Sequence, residues 1–135
     1  MRSPPRVLFS VLCDDVRREV GSKVSVMGIY GDAIAVTEMP ATLPRLSLFA
    51  SCEAGDEGED VSASLDLRGP DGKSMLSGGA VRMGPTKLGR KFNVAMGVGP
   101  VVFSKDGAHK FVLTLKRSGA SLSVEHGFEL VFDRG

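Results

Sequence analysis

The sequence predicts an all-β, antiparallel protein, because apolar and polar residues alternate along its last quarter. Between residues 122 and 132 every second residue is apolar or is His126, and most of the residues between them are polar. The run 110–116 likewise places Phe111, Leu113 and Leu115 at alternate positions. Alternation with a period of two is typical of strands that bury one face and expose the other. The 17 glycines of the chain can supply the tight turns that many strands require.

The length and composition are those of a single globular domain over residues 1–135. The chain has 135 residues, 42% hydrophobic and 24% charged, and a net charge of +1. A domain of this size buries roughly two thirds of its unfolded surface and needs no disulfide or metal to fold. No apolar run approaches the roughly 20 residues of a membrane helix. The apolar stretch near the start is short and no cleavage site follows it, so we expect a cytoplasmic protein without membrane contact.

Three segments near the start of the chain are predicted strands. Residues 7–13 form the first, and the polar stretch 14–22 is expected to be a loop or a single helical turn. Residues 23–30 form the second strand. Residues 33–36 either continue it as a kinked strand or reverse it in a hairpin across Gly31-Asp32, and the sequence leaves both readings open.

The middle of the chain contains two further strands and a turn. Pro40 and Pro44 bracket an extended connection, and a strand over residues 45–53 follows it. Residues 61–68 alternate cleanly and predict a half-buried strand. The sequence Gly69-Pro70-Asp71-Gly72 then predicts a turn, because Pro fixes φ, Asp tolerates turn geometry and Gly adopts a positive φ.

The remaining segments complete an array of about eight strands. Residues 73–83 form the return strand, with a bulge expected at Gly78-Gly79, and 84–89 form a loop. Residues 90–103 are predicted as one long strand region, and 110–132 as the last hairpin. Strands and turns at this spacing are typical of a β-sandwich or barrel, and the uneven strands with internal glycines favour a sandwich.

Several segments between residues 12 and 72 combine glycines, prolines and strand patterns. They comprise Leu12-Cys13-Asp14-Asp15-Val16-Arg17, Lys23 with Ser25, Met27-Gly28-Ile29-Tyr30-Gly31-Asp32, Pro40 with Leu43-Pro44, and residues 65–72. Together they resemble a group of small bacterial proteins of unknown function that are predicted to be immunoglobulin-like sandwiches. The resemblance implies an immunoglobulin-like fold. Its motifs are structural, so it implies no catalytic residue and no cofactor.

The segment before the last hairpin resembles the entry to a late strand of immunoglobulin-like domains. In those domains an aromatic residue, usually Tyr, forms a hydrogen bond to the backbone at this corner. Here His109 occupies that place. Its imidazole can form a similar bond.

Cys13 and Cys52 are predicted to be buried free thiols. Cys13 has the strand parity of Phe9 and Val11, and Cys52 has that of Leu48 and Ala50. On an apolar face a free thiol behaves as a small hydrophobic group. Because a cytosolic chain seldom forms disulfides, we expect no bond between the two.

The sequence carries few groups suited to catalysis, so we expect no enzyme activity and no cofactor. It contains no Gly-x-Ser-x-Gly, His-Glu-x-x-His or Cys-x-x-Cys motif. The two histidines, His109 and His126, share the parity of apolar neighbours, so structural roles are expected. Whether they meet in space is left open.

The acidic loop at residues 53–60 offers the one set of candidate metal ligands. They are Asp56, Glu57, Glu59 and Asp60, whose carboxylates suit hard cations such as Ca²⁺. The loop lacks the ordered Asp/Asn alternation of dedicated calcium loops. We therefore expect a solvated hairpin tip and keep ion binding as an alternative.

These observations favour a non-enzymatic interaction or structural module that binds a protein partner or itself to form a homo-oligomer. Exposed sheet edges are natural templates for docking another chain. The basic residues are not interleaved with free aromatic side chains, so we expect no nucleic-acid binding. The alternative is an ion- or small-ligand-binding sandwich that uses the acidic loop 53–60 or a cleft near Tyr30-Gly31-Asp32.

Overall fold

Eleven β-strands make up the secondary structure of residues 6–21, 23–53, 60–85, 91–117 and 120–133, which a computed structural model of the chain describes. The strands are β1 (Arg6–Glu19), β2 (Lys23–Ile29), β3 (Ala33–Val36), β4 (Ala41–Leu43), β5 (Leu46–Glu53), β6 (Asp60–Arg68), β7 (Ser74–Pro85), β8 (Lys91–Val98), β9 (Val101–Phe103), β10 (Gly107–Arg117) and β11 (Ala120–Phe132). The all-β prediction is confirmed, but about eight strands were expected. Strands β3, β4 and β9 have only three or four residues each, too few to show an alternation.

The strands form two large sheets and one small one. The first sheet has the order β2-β1-β5-β8, the second β3-β11-β10-β6-β7, and the small sheet pairs β4 with β9. Every described pair is antiparallel except β11 with β3, which is parallel. The prediction of a purely antiparallel protein is wrong for this one pair.

The inward faces of all three sheets meet in one hydrophobic cluster. The first sheet contributes residues such as Leu12, Leu48 and Met96, and the second contributes residues such as Leu113 and Leu65. Along β10 and β6 every second residue is buried, as the alternation predicts. Burial of these apolar side chains is the main favourable contribution to folding.

Strand β5 is buried on both of its faces. Its inward residues, which include Leu48 and Ala50, belong to the hydrophobic cluster. Its outward residues Ser47, Phe49 and Ser51 are only 2%, 7% and 8% exposed. The outward face thus combines two small polar residues with one aromatic residue, and all three are covered.

The expected loop over residues 14–22 is wrong, because β1 continues to Glu19. Residues 15–19 pair with β2 over Lys23–Met27. This two-stranded ribbon extends past the part of β1 that pairs with β5, which ends at Cys13. Its polar residues are compatible with a strand because the backbone hydrogen bonds come from β2 and neither face has to be fully buried.

Neither reading of residues 33–36 is correct, because β3 joins a different sheet from β2. It lies parallel to β11, with Ile34 and Val36 buried against the second sheet. The Glu129 N–H donates to the Asp32 carbonyl at 2.9 Å, and the Asp133 N–H to the Val36 carbonyl at 2.8 Å. The chain therefore crosses between the sheets at Gly31-Asp32.

The long strand expected over residues 90–103 is divided at Gly99-Pro100. Strand β8 pairs with β5, whereas β9 pairs with β4 in the small sheet. Pro100 has no N–H to donate to a sheet. Gly99 lies against the Pro44 carbonyl so closely that a Cβ would overlap it.

The predicted turn and bulge around β6 and β7 are confirmed. The Gly72 N–H donates to the Gly69 carbonyl at 2.9 Å, and Gly72 has a φ of 80°. Pairing shifts from Ala63–Val81 to Leu65–Gly78, which leaves one extra residue on β7. The last hairpin also pairs as predicted, from Gly107 with Leu130 to Arg117 with Ala120.

The assignment of residues 1–135 to a single domain stays a prediction.

Gly28→Ala is expected to lower the free energy of unfolding by about 1–2 kcal/mol. Gly28 has a φ of 68°, and its Cβ would come within 2.8 Å of Asp14 Cγ. The matched control is Gly31→Ala, where a Cβ meets no described atom within 4 Å. Urea unfolding measures both variants, and equal losses would contradict the explanation.

Candidate functional site

A hairpin arm projects from the first sheet. We define the arm as residues 14–28, where β1 pairs with β2 and no longer with β5. Val16, Arg18 and Val24 of the arm line a cleft of about 470 Å³ together with Asn93 and Ala95 of β8. In the register of the first sheet, Asn93 and Ala95 lie beside Ser51 and Phe49 on its outward face. The arm thus forms one wall of a cleft and the outward face forms the other.

Polar contacts fix the base of the arm. The Tyr30 hydroxyl donates to Asp14 Oδ1 at 2.6 Å, and Arg45 Nε lies 3.2 Å from Asp15 Oδ1. Burial, together with the bond to Asp14, raises the pKa of Tyr30 to about 12. Tyr30 therefore remains a neutral donor at physiological pH. These contacts join the arm to β5 and to the crossover at Gly31.

Exposed apolar side chains lie on and beside the arm. Val20 at its tip is 94% exposed, Ile29 at its base is 64% exposed, and Phe9 on the outward face is 55% exposed. The ring of Phe9 also packs on Phe49, with centroids 6.2 Å apart. Exposed apolar side chains thus occur at the tip of the arm, at its base and on the neighbouring outward face.

The outward face of the second sheet is polar by comparison. Lys110 Nζ lies 2.8 Å from Glu125 Oε2, and the Thr114 and Ser123 hydroxyls lie 3.0 Å apart. Asp66 accepts hydrogen bonds from Arg68, Ser74 and Ser77. Burial opposes the effect of these bonds, but the pKa of Asp66 is still lowered. The two outward faces thus differ in chemistry.

Ser10 and His126 form a hydrogen bond between the two large sheets, which sequence reasoning missed. Ser10 Oγ lies 2.7 Å from His126 Nδ1, across 116 residues of sequence. Burial lowers the pKa of His126 below its ordinary value. The alternation in β11 did predict that His126 points inward, but nothing in the sequence identifies its partner. The bond holds β1 against the first part of β11.

His109 lies apart from His126 and has different neighbours. Its Nδ1 lies 2.9 Å from the Gly107 carbonyl, so the backbone bond expected at this corner is present. The ring stacks on Phe128 at a centroid distance of 5.6 Å and meets Phe103 edge-on at 5.1 Å. The two histidines therefore do not form a common site.

Of the segment Tyr30-Gly31-Asp32, where a cleft is expected, Asp32 lines an open depression of about 310 Å³, but Tyr30 and Gly31 do not. Glu129 also lines this depression, together with Ala108, His109, Gly127 and Phe128. Both carboxylates are exposed.

The candidate metal ligands Asp56, Glu57 and Glu59 lie outside the described residues, and Asp60 begins β6 with its side chain outside the description. Glu53, at the start of the loop, pairs with Arg6 at 3.1 Å. Among the described side chains no three His, Cys, Asp or Glu groups lie close enough to hold a metal ion. Ion binding by the loop stays a prediction.

Among the residues that the structure describes, no helix has the length and apolarity to span a membrane.

Both cysteines are free and fully buried, which confirms the prediction for the thiols. They lie on opposite faces of the first sheet. Cys52 belongs to the hydrophobic cluster, whereas the Cys13 thiol faces outward and donates to the Ser47 carbonyl at 3.7 Å. Burial raises the pKa of the Cys52 thiol to about 11, and burial followed by Asp14 and Asp15 raises that of Cys13.

Neither thiol is expected to react with a disulfide reagent such as DTNB while the protein is folded. Only the thiolate attacks the reagent, and both raised pKa values and burial disfavour it. Absorbance of the released thiolate should show both cysteines reacting after denaturation. Rapid reaction of either cysteine in the folded protein would contradict the assignment.

The stability of the protein is expected to fall as His126 becomes protonated. Its pKa in the folded state lies below the ordinary value of 6.5, so the unfolded chain binds the proton more tightly. The stabilisation is complete above pH 6.5 and is lost as the pH falls through the folded-state pKa. His126→Asn keeps a hydrogen-bonding group near Ser10 but cannot titrate. Unfolding free energies measured from about pH 8 to about pH 5 should decline less for the variant, and parallel curves would refute this role.

Comparison with solved structures supports the fold. The C-terminal domain of Wzt superimposes with a TM-score of 0.56 at 3% identity, covering 98% of this chain and 77% of that one. The Pseudomonas fluorescens alkylpurine DNA glycosylase AlkC, bound to DNA containing an abasic site analogue, gives a TM-score of 0.41 at 16% identity over 74% of this chain and 28% of its own. The first likeness shows a shared fold.

No curated protein matches the chain. A family model described as a family of unknown function matches residues 8–118, which is most of the sequence. This match confirms the resemblance to uncharacterised proteins that the motifs between residues 12 and 72 predict. The chain belongs to the family of unknown function DUF6941.

Proposed function

We propose that the protein is a non-enzymatic interaction module, built as an immunoglobulin-like β-sandwich, that binds a protein partner or a second copy of itself through the free edge of β2. The single observation that carries the proposal is this edge. Within the described residues, β2 has β1 on one side and no strand on the other. The unpaired N–H and C=O groups of such a strand can pair with an added strand.

The edge of β2 lacks the features that usually block strand addition. Six of its seven residues, all but Gly28, pair with β1 in one register, and the strand contains no Pro and one charged residue, Lys23, at its end. Charged side chains, Pro and bulges are the usual protection of an edge.

The other edges are short, irregular or covered. Strand β3 has four residues, and β7 shifts register against β6 at three places. Strand β7 also runs close to β8 and so covers part of that edge of the first sheet. The first part of β11 is held against β1 by Ser10 and His126. We infer that β2 is the edge best suited to docking.

Exposed apolar groups flank the free edge. Ile29 ends β2, and Val20 lies at the tip of the arm. In strand addition the backbone bonds supply affinity, while contacts of alternate side chains supply specificity. A partner strand beside β2 would gain contacts with both.

The sandwich assignment is supported by the shared hydrophobic cluster of the two large sheets. The two free thiols support a reducing compartment, so we place the protein in the cytoplasm.

Ser25→Lys is expected to abolish the interaction without unfolding the protein. Ser25 lies in the middle of β2, and a lysine on an edge strand opposes pairing with another strand. The matched control is Ser64→Lys on β6, which has similar exposure but lies between β10 and β7. Thermal melts should show that both variants fold.

Native mass spectrometry over a wide concentration range, together with affinity capture from the cells of origin, measures the result. The proposal is supported if self-association or a bound protein is seen with the wild type and with Ser64→Lys but is lost with Ser25→Lys. A monomeric wild type whose captured proteins are the same as those of Ser25→Lys would overturn it.

A further inference from the structure

A second cleft lies where the β6–β7 turn approaches the connection between β9 and β10. It has a volume of about 180 Å³ and is lined by Pro70, Asp71, Met75, Ser104, Lys105 and His109. A Cβ on Gly107 would lie 3.7 Å from Pro70 Cγ, so the two segments are in contact beside the cleft.

The His109 ring is fixed in one orientation. It is 4% exposed, and Phe128 and Phe103 pack against it. Its Nδ1 lies 2.9 Å from the Gly107 carbonyl, and because a carbonyl can only accept, the proton of this bond belongs to Nδ1. The other ring nitrogen, Nε2, is then an acceptor in the neutral imidazole.

This Nε2 has no hydrogen-bond partner among the described residues, although the side chain is buried. Buried polar atoms are nearly always paired, with protein, water or ligand, because an unmade bond costs free energy. The side chain of His109 points inward, as do those of its strand neighbours Phe111 and Leu113, and His109 is among the residues that line the cleft. The atom thus calls for a donor supplied from the cleft.

The mouth of the cleft carries charges of both signs. Asp71 Oδ1 accepts the Lys73 N–H at 3.0 Å, and this bond, with Lys105 nearby, lowers the pKa of Asp71. Lys105 is exposed and supplies an ammonium group, and Ser104 supplies a hydroxyl. Pro70 and Met75 form an apolar side.

We propose that this cleft binds a small zwitterion of the α-amino-acid class. Its ammonium group donates to Asp71 and to His109 Nε2, its carboxylate accepts from Lys105, and a small side chain lies along Pro70 and Met75. A cleft of about 180 Å³ limits the ligand to a few heavy atoms beyond the amino-acid backbone. The site is independent of strand addition at β2, since none of its residues belongs to the arm.

The test is a titration of ¹⁵N-labelled protein with glycine and L-alanine, followed through the ring signals of His109. Acetate and methylamine serve as probes that carry one charge each. Saturable shifts of the His109 ring with both amino acids, and weaker binding of the single-charge probes, are expected. Because water screens an ion pair made by an exposed lysine, Lys105→Ala should weaken binding by up to about fivefold.

Lys116→Ala, which removes an exposed lysine of β10 that does not line the cleft, is the matched control and should bind as the wild type does. His109→Phe should abolish binding while keeping an aromatic ring in the stack, and its melting temperature reports whether it folds. No shift at high millimolar amino acid, or equal binding by Lys105→Ala and the wild type, would overturn the proposal. Acetate or methylamine binding as tightly as glycine would also overturn it.

Discussion

The arrangement of this protein depends on the burial of β5 on both faces. Its inward side chains belong to the cluster shared by the sheets, and its outward residues Ser47, Phe49 and Ser51 are nearly as inaccessible. Covering a strand on both sides requires structure outside the first sheet. The outward row is covered in part by Phe9, whose ring packs on Phe49, and it lies beside the face that the arm overhangs.

Strand β1 contributes to both the core and the arm. One part of the strand pairs with β5 and helps to form the core, and the other part pairs only with β2 and forms the arm. The arm leaves one side of β2 free within the described residues. The arm thus creates the edge on which the proposed interaction rests.

The two histidines show how one residue type serves different purposes in one hairpin. His126 joins the two large sheets through Ser10, and its partner is supplied by the protein. His109 bonds to its own backbone through Nδ1 and is held between two phenylalanine rings. The two differ in burial, since His109 is 4% exposed and its second ring nitrogen has no partner among the described residues, whereas His126 is only half-buried. That difference is why a ligand is proposed at one histidine only.

The sequence by itself determined the strands whose two faces differ in environment. Strands β6, β10 and β11 alternate because one face meets the core and the other meets water, and the turn at Gly69-Pro70-Asp71-Gly72 follows from local backbone preferences. The inward direction of His126 and the burial of both thiols follow from the same alternation.

Only the tertiary structure decided which elements meet. Residues 14–19 look like a loop because a ribbon paired on its backbone needs no apolar pattern, and β3 looks like part of β2 because nothing local marks a change of sheet. The Ser10–His126 bond and the two clefts join residues that are distant in sequence. Contacts of this kind depend on the relative positions of strands, which are set by packing across the whole core rather than by the residues that take part.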